Sequence, residues 1–284
     1  MTPSQFNSPY VQDLAWLVEG HYIVQDFDLS LYWCLDLNEK LAQLDARPEV
    51  LNQAVLSCKS HFLGSYFESL FSFAITHLST LTPVLEHEQI VSDKRTIGEI
   101  DMIVEEPNGQ LHQFEVAIKF YLQRMDLIPH HWIGPNKNDS LLKKETKARN
   151  HQLAILNTEI GREFVYPVTQ GREISTHLLI FGRLYHPLTT QKNIRELPVG
   201  NEIGYWVRVS DFLLIASRFS HMKVMEKPHW MVFENNTDGI VYISLHKVYS
   251  FAGSINADNR PRHIALWREK EEMSHSVFVV PDAW

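Results

Sequence analysis

Five side chains in the first half of the chain have the types and spacing to do chemistry: Glu68, Glu99, Asp101, Glu115 and Lys119. In a strand, residues two apart share a face, so Glu99 and Asp101 point one way, and Glu115, Ala117 and Lys119 point one way on the next strand. Charges set into otherwise apolar strands are costly to bury unless they are paired or hold a metal. Asp101 and Glu115 on neighbouring strands can converge on one divalent cation, to which Glu99 and Glu68 can add a further ligand. Hard oxygen donors of this kind suit Mg²⁺ or Mn²⁺ and require neither Cys nor His. A lysine on the same face, Lys119, can orient or deprotonate an attacking water, or stabilise negative charge on a phosphate.

The element that must position these groups is a β-hairpin from Gly98 to Lys119. Two runs of alternating apolar residues flank the turn Glu106-Pro107-Asn108-Gly109, the pattern of two paired strands. Before it, PEVLNQAVLSCKSHFLGSYFESLFSFAITHLST predicts a helical region interrupted near Gly64. Its face Phe62, Tyr66, Leu70 and Phe73 recurs at helical spacing and points to the core. Glu68 lies in that helix among apolar and aromatic neighbours, and reads equally as a solvated helix residue. LEHEQIVSD reads as a strand or an extended connection, and FYLQRMDLIPHHWIGPNKNDS as a long loop with Pro129, Gly134, Pro135 and Asn136 as breakers.

Asp139 or Ser140 can cap the next helix, SLLKKETKARNHQLAILN. From Lys137 to Arg149 there are five basic residues against Asp139 and Glu145, a local asymmetry on an acidic chain. Lys143, Lys147 and Arg149 are phosphate contacts on one reading and a solvated face on the other. Gln152, farther along the helix, is a candidate substrate contact. ISTHLLIFGRLYHP then reads as a buried strand, so the element order predicts an α/β (α+β) core, a mixed sheet with helices packed on it.

Bulk properties narrow the function classes. An apolar fraction of 44% with 11% aromatics supports a real core and argues against extended disorder. A formal charge of −8 argues against a chain that coats nucleic acid over its whole surface, while leaving room for a local basic groove. Two cysteines, Cys34 and Cys58, without metal-type spacing suit a reducing cytoplasm. The N-terminal residues lack a signal-peptide pattern, and no stretch approaches the ~18 uncharged apolar residues of a membrane helix. The fifteen histidines show no HxxxH or HExxH spacing, which argues against a histidine-ligated hydrolase.

A helix carrying Glu68, then Asp101 on one strand, then Glu115 followed by a lysine on the next, resembles the PD-(D/E)XK nuclease superfamily, and Gln152 on the following helix fits its order of elements. The run GEIDMIV…FEVAIKFYL…WIGPNKNDSLLKKETKARNHQL also resembles an uncharacterised bacterial family of unknown function grouped with those nucleases. The resemblance implies a restriction-endonuclease-like core over residues 49–187, with an N-terminal helical elaboration (1–48) and a C-terminal extension (188–284). It implies a Mg²⁺- or Mn²⁺-dependent hydrolase of nucleic-acid phosphodiesters, DNA ahead of RNA; the cysteine usage and the N-terminal residues place it in the cytoplasm. Asp101 and Glu115 would hold the metal with Glu99, Lys119 would assist the water, and Glu68 would support them. The departure is Ala117, which stands where the superfamily has its lysine; Lys119 is about 7 Å farther along the strand. A catalytically inactive protein on the same fold, binding nucleic acid or another protein, is the alternative.

Overall fold

The computed structural model describes residues 2–57, 62–92, 94–188, 203–232, 239–269 and 274–284. Contacts divide the chain into two compact units, residues 1–119 with 143–182, and residues 120–142 with 183–284. Runs of helices and runs of strands follow one another along it, and the fold is mixed α/β.

The first unit opens with α1 (Pro9–Glu19), which ends where Gly20 turns left-handed at φ 80°, the usual way an α-helix is closed. Strand β1 (Tyr22–Gln25), helices α2 (Leu37–Ala46) and α3 (Glu49–Leu56), and helix α4 (Leu63–Leu78) follow. Helix α4 begins at Leu63, beside the interruption expected near Gly64. Tyr66, Leu70 and Phe73 are buried as their spacing predicts, but Phe62 is the residue before the helix and is 77% exposed. Cys58 lies outside the described residues.

Strands β2 (Thr82–Ser92), β3 (Arg95–Glu105) and β4 (Leu111–Gln123) then form an antiparallel set with β6 (Ile174–Pro187) beside β4 and β1 on β6. The hairpin is in the expected place: Glu105 pairs with Leu111 and Met102 with Phe114, and Gly109 takes φ 88° in the turn. That turn is tied down by Glu106, whose Oε1 accepts from the Tyr32 hydroxyl at 2.8 Å and lies 2.6 Å from His112 Nε2. Helix α4 packs its Phe67 and Phe71 against Phe181 and Phe114. Ile100, Ile103 and Leu111 of the hairpin pack with Ile155, Leu156 and Val165. Gly98 lies against this contact: a Cβ there would sit 2.4 Å from Ile155 Cδ1, and the end of that side chain would have to shift.

The segment expected as one helix after Ser140 winds three ways: α5 (Leu141–Lys147), a π-turn at Ala148–Gln152 and a 3₁₀ turn at Leu153–Asn157. Helix α6 (Glu159–Thr169) follows, capped by Thr158 Oγ1 on the Gly161 N–H at 3.0 Å. Its sequence does not announce it, because Pro167 lies inside it.

The second unit contains the part expected as a loop after Phe120. Phe120, Tyr121 and Leu122 are all buried and continue β4 to Gln123, because that apolar run is covered on both sides. A short β5 (Trp132–Ile133) pairs back on β4. Strand β7 (Gly204–Arg208) runs parallel to the end of β6 and to β11 (His275–Val280). Strands β10 (Arg262–Trp267), β8 (His221–Val224) and β9 (Val241–Tyr242) extend this unit's sheet antiparallel from β11. Helices α7 (Val209–Ile215) and α8 (Leu245–Asp258) contribute Phe212 and Ile255 to its core, with Ile264 and Val279. A buried set, Tyr185, His263 and Ser276, is internally hydrogen-bonded at 2.7–3.2 Å.

Candidate active site

Asp101 and Glu115 come together. The hairpin ladder runs from Glu105–Leu111 to Met102–Phe114. One residue beyond it, Asp101 turns its carboxyl to β4 and accepts the Val116 N–H on Oδ2 at 2.9 Å. The side chain thus satisfies a backbone donor in the hairpin and is held in one place. Glu115, 2% exposed, lies beside it, close enough that each carboxyl shifts the other's pKa.

A third group completes the pair. Lys144 Nζ donates to Glu115 Oε1 at 2.8 Å. Lys144 is half-buried in α5, three residues after Leu141 and four before Ala148, which is wholly buried. The helix face that covers the hairpin therefore carries the ammonium. The π-turn begins directly after this segment; single π-turns of this kind recur at functional sites.

Burial dominates the electrostatics. It pushes Glu115 up to about 8, with the Asp101 carboxylate adding to the shift and Lys144 opposing it. Asp101 is raised too, by burial first, against the Val116 N–H and Lys144. Two carboxyls so placed cannot both ionise cheaply, so the pair holds one proton at neutral pH. Glu68 on α4 is raised by burial and next by Asp101, with Glu99 adding and His87 and Lys144 opposing. Glu68, Asp101, Glu115 and Lys144 thus form one electrostatic cluster, with Glu99 exposed at its edge.

The other sequence candidates are placed as follows. Lys119 is half-buried on the face of Glu115, two positions beyond Ala117; the ammonium on Glu115 belongs to Lys144. Lys143 and Lys147 are on the exposed side of α5. Arg149 is occupied, with a two-pronged contact to Asp26 at 2.6 and 3.1 Å and a third to Glu145 at 3.2 Å. Its guanidinium ties the π-turn to the residue after β1 rather than extending toward a ligand. Arg149→Ala is therefore expected to lower stability by about 1 kcal/mol, given the partial exposure of the pair, which a denaturant titration would measure. Gln152 is half-buried in the π-turn; its backbone oxygen accepts from Gln113 Nε2 at a long 3.5 Å. The Oε1 atoms of Gln113 and Gln152 are both buried without a partner among the described residues.

Sequence reasoning missed Lys144 and His87. Lys144 was legible only as one of several lysines, and the signal lay in its spacing from Leu141 and Ala148. His87 carried none.

Among the described residues, no three His, Cys, Asp or Glu side chains are gathered as a ready cation cage. The donor set that is present suits Mg²⁺ or Mn²⁺, which are commonly held by one or two carboxylates with water and phosphate oxygens filling the remaining positions. Because Glu115 keeps its proton to about 8 in the folded chain, against 4.5 for a free side chain, the stability it contributes is complete below about pH 4.5 and is lost as pH rises toward 8. Thermal melts in chelator are expected to fall over that interval. Adding Mn²⁺ is expected to raise Tm more at pH 8.5 than at pH 6, since a bound cation displaces the shared proton.

A family model described as a domain of unknown function, DUF1853, matches residues 12–268, and the chain belongs to that family. No curated protein and no solved structure matches it. Among the described residues, no helix is long and apolar enough to cross a membrane.

Proposed function

We propose that this DUF1853 domain hydrolyses phosphodiester bonds in nucleic acid, DNA ahead of RNA, with Mg²⁺ or Mn²⁺ held by Asp101 and Glu115. The observation that carries the reading is the Asp101–Glu115 carboxyl pair, Glu115 buried and Asp101 half-buried, with Lys144 Nζ 2.8 Å from Glu115. Two carboxyls set side by side out of full solvent, with an ammonium on one of them, are costly for a fold to keep, and such perturbed groups mark functional sites. The likeness to PD-(D/E)XK nucleases seen in the sequence supports the same reading, and Lys144 answers its one departure. An ammonium on Glu115 supplies from the helix what Ala117 cannot supply from the strand.

A cation held by Asp101 and Glu115 would neutralise phosphate charge and lower the pKa of a water. Asp101 is oriented by the Val116 N–H, so its carboxylate needs no reorganisation on loading. Lys144 stabilises the ionised form of Glu115 and then the charge developing on the phosphate oxygens. Glu68, raised above the ordinary carboxylate range, suits the transfer of the water's proton. Lys143 and Lys147 on the exposed side of α5 are proposed to contact neighbouring phosphates, where each contact makes binding salt-dependent.

A second reading has its own observation. Lys144 already occupies Glu115 Oε1, and among the described residues no three-ligand group is assembled; a chain that keeps the fold for binding alone would show the same contact. Incubation of single- and double-stranded DNA and RNA with Mn²⁺ separates the two. Cleavage lost on Asp101→Asn supports the hydrolase, and binding without cleavage supports the alternative.

A further inference from the structure

We infer that His87 is a substrate-contacting residue of this site, donating a ring N–H to a phosphate oxygen of the bound nucleic acid; the inference rests on the hydrolase reading above. Three observations lead to it. The ladder between β2 and β3 pairs Glu86 with Met102 and Glu88 with Ile100, so His87 falls opposite Asp101. The backbone of His87 is left-handed, φ 51°, within a stretch, Leu85 to Ile90, whose register on β3 holds without a shift. Finally, the side chain is exposed and makes no hydrogen bond among the described residues, yet it stands within electrostatic reach of Glu68.

A left-handed non-glycine residue in the middle of a strand is strained, and such strain persists where the surroundings over-determine it, typically at functional sites. The neighbours on either side are ordinary: Glu86 is hydrogen-bonded to Ser72 of α4, and Glu88 is exposed. Among the described residues, no hydrogen bond or ring contact of the imidazole offsets the strain. What the conformation achieves is a cationic or neutral N–H donor beside a cluster that is otherwise acidic, formed by Glu68, Glu99, Asp101 and Glu115 with Lys144 as its ammonium. An anionic phosphate approaching those carboxylates meets repulsion unless donors flank it, and an exposed imidazole opposite Asp101 is placed to be one.

The test compares wild type with His87→Gly, His87→Ala, His87→Asn and Asp101→Asn, using a labelled DNA duplex with Mn²⁺ and thermal melts of each protein. Glycine relieves the left-handed backbone while alanine keeps the strain. His87→Gly is therefore expected to melt about 2 °C or more above His87→Ala, with both losing cleavage about ten- to hundredfold, the value of one hydrogen bond to a charged group. Asn tolerates the left-handed backbone and keeps an N–H donor, so His87→Asn should recover part of the loss. His87→Gly that melts like wild type and cleaves within threefold of it overturns the role of His87 while leaving Asp101 intact. Wild type that does not cleave overturns the hydrolase reading and this inference together.

Discussion

Asp101→Asn is expected to reduce Mn²⁺-supported cleavage by at least ~10³, the rate equivalent of the several kcal/mol that a metal-held charge supplies. The amide keeps the side chain's shape, and its oxygen can still accept the Val116 N–H, which is 2.9 Å away in the native chain. The fold should therefore survive while the charge is lost. With Asp101 neutral, the second cause of the Glu115 shift disappears, and Glu115 should ionise at lower pH. Melts in chelator should then depend less on pH between 4.5 and 8 than those of wild type, a signature that loss of folding would not produce. Glu115→Gln should match the loss of cleavage. Lys144→Met should cost 10²- to 10⁴-fold, the range for a group acting on proton transfer. Lys119→Ala should remain close to wild type.

Gly182→Ala is the substitution with the largest expected effect on folding. Gly182 has φ 141°, and a Cβ built there lies 1.6 Å from the Lys119 carbonyl oxygen and 2.7 Å from its carbon. Both obstacles are backbone, so no rotamer change relieves them; β6 and β4 would have to part four residues from Glu115. A loss of more than ~4 kcal/mol belongs to this class of clash and strain, enough to lower Tm by more than about 10 °C. Differential scanning calorimetry would register it as a collapsed or missing transition. Metal-linked stabilisation should disappear with it, because Asp101 and Glu115 meet only when the hairpin is held against its neighbour.

The hairpin was legible in the sequence because period-two alternation and an Asn-Gly turn leave little else for that stretch to do. The same alternation placed Asp101 and Glu115 on adjacent strands. It could not show that the ladder stops at Met102–Phe114 and that Asp101 takes over the next donor, since that depends on the local path of two strands. Lys144 was hidden for a different reason. A lysine-rich helix has several candidate faces, and only the packing of Ala148 and Ile155 on the hairpin decides which one turns inward. Strand β4 ran past its expected end because Phe120, Tyr121 and Leu122 are buried on both sides, where Pro129 and Gly134 downstream suggested a loop. His87 left no trace in the sequence, because a left-handed backbone at a non-glycine position is imposed by the fold around it.

The central claim, that Asp101, Glu115 and Lys144 form one metal-dependent hydrolytic site, is tested most directly by one side-by-side measurement. Initial rates of DNA cleavage at pH 8 are followed across a Mn²⁺ titration for wild type, Asp101→Asn, Glu115→Gln, Lys144→Met and Lys119→Ala. The predicted result is saturable metal-dependent cleavage by wild type and Lys119→Ala, with the other three reduced by at least a hundredfold while still folded. Cleavage that survives Asp101→Asn and Glu115→Gln, or wild type that binds DNA without ever cutting it, would contradict the claim.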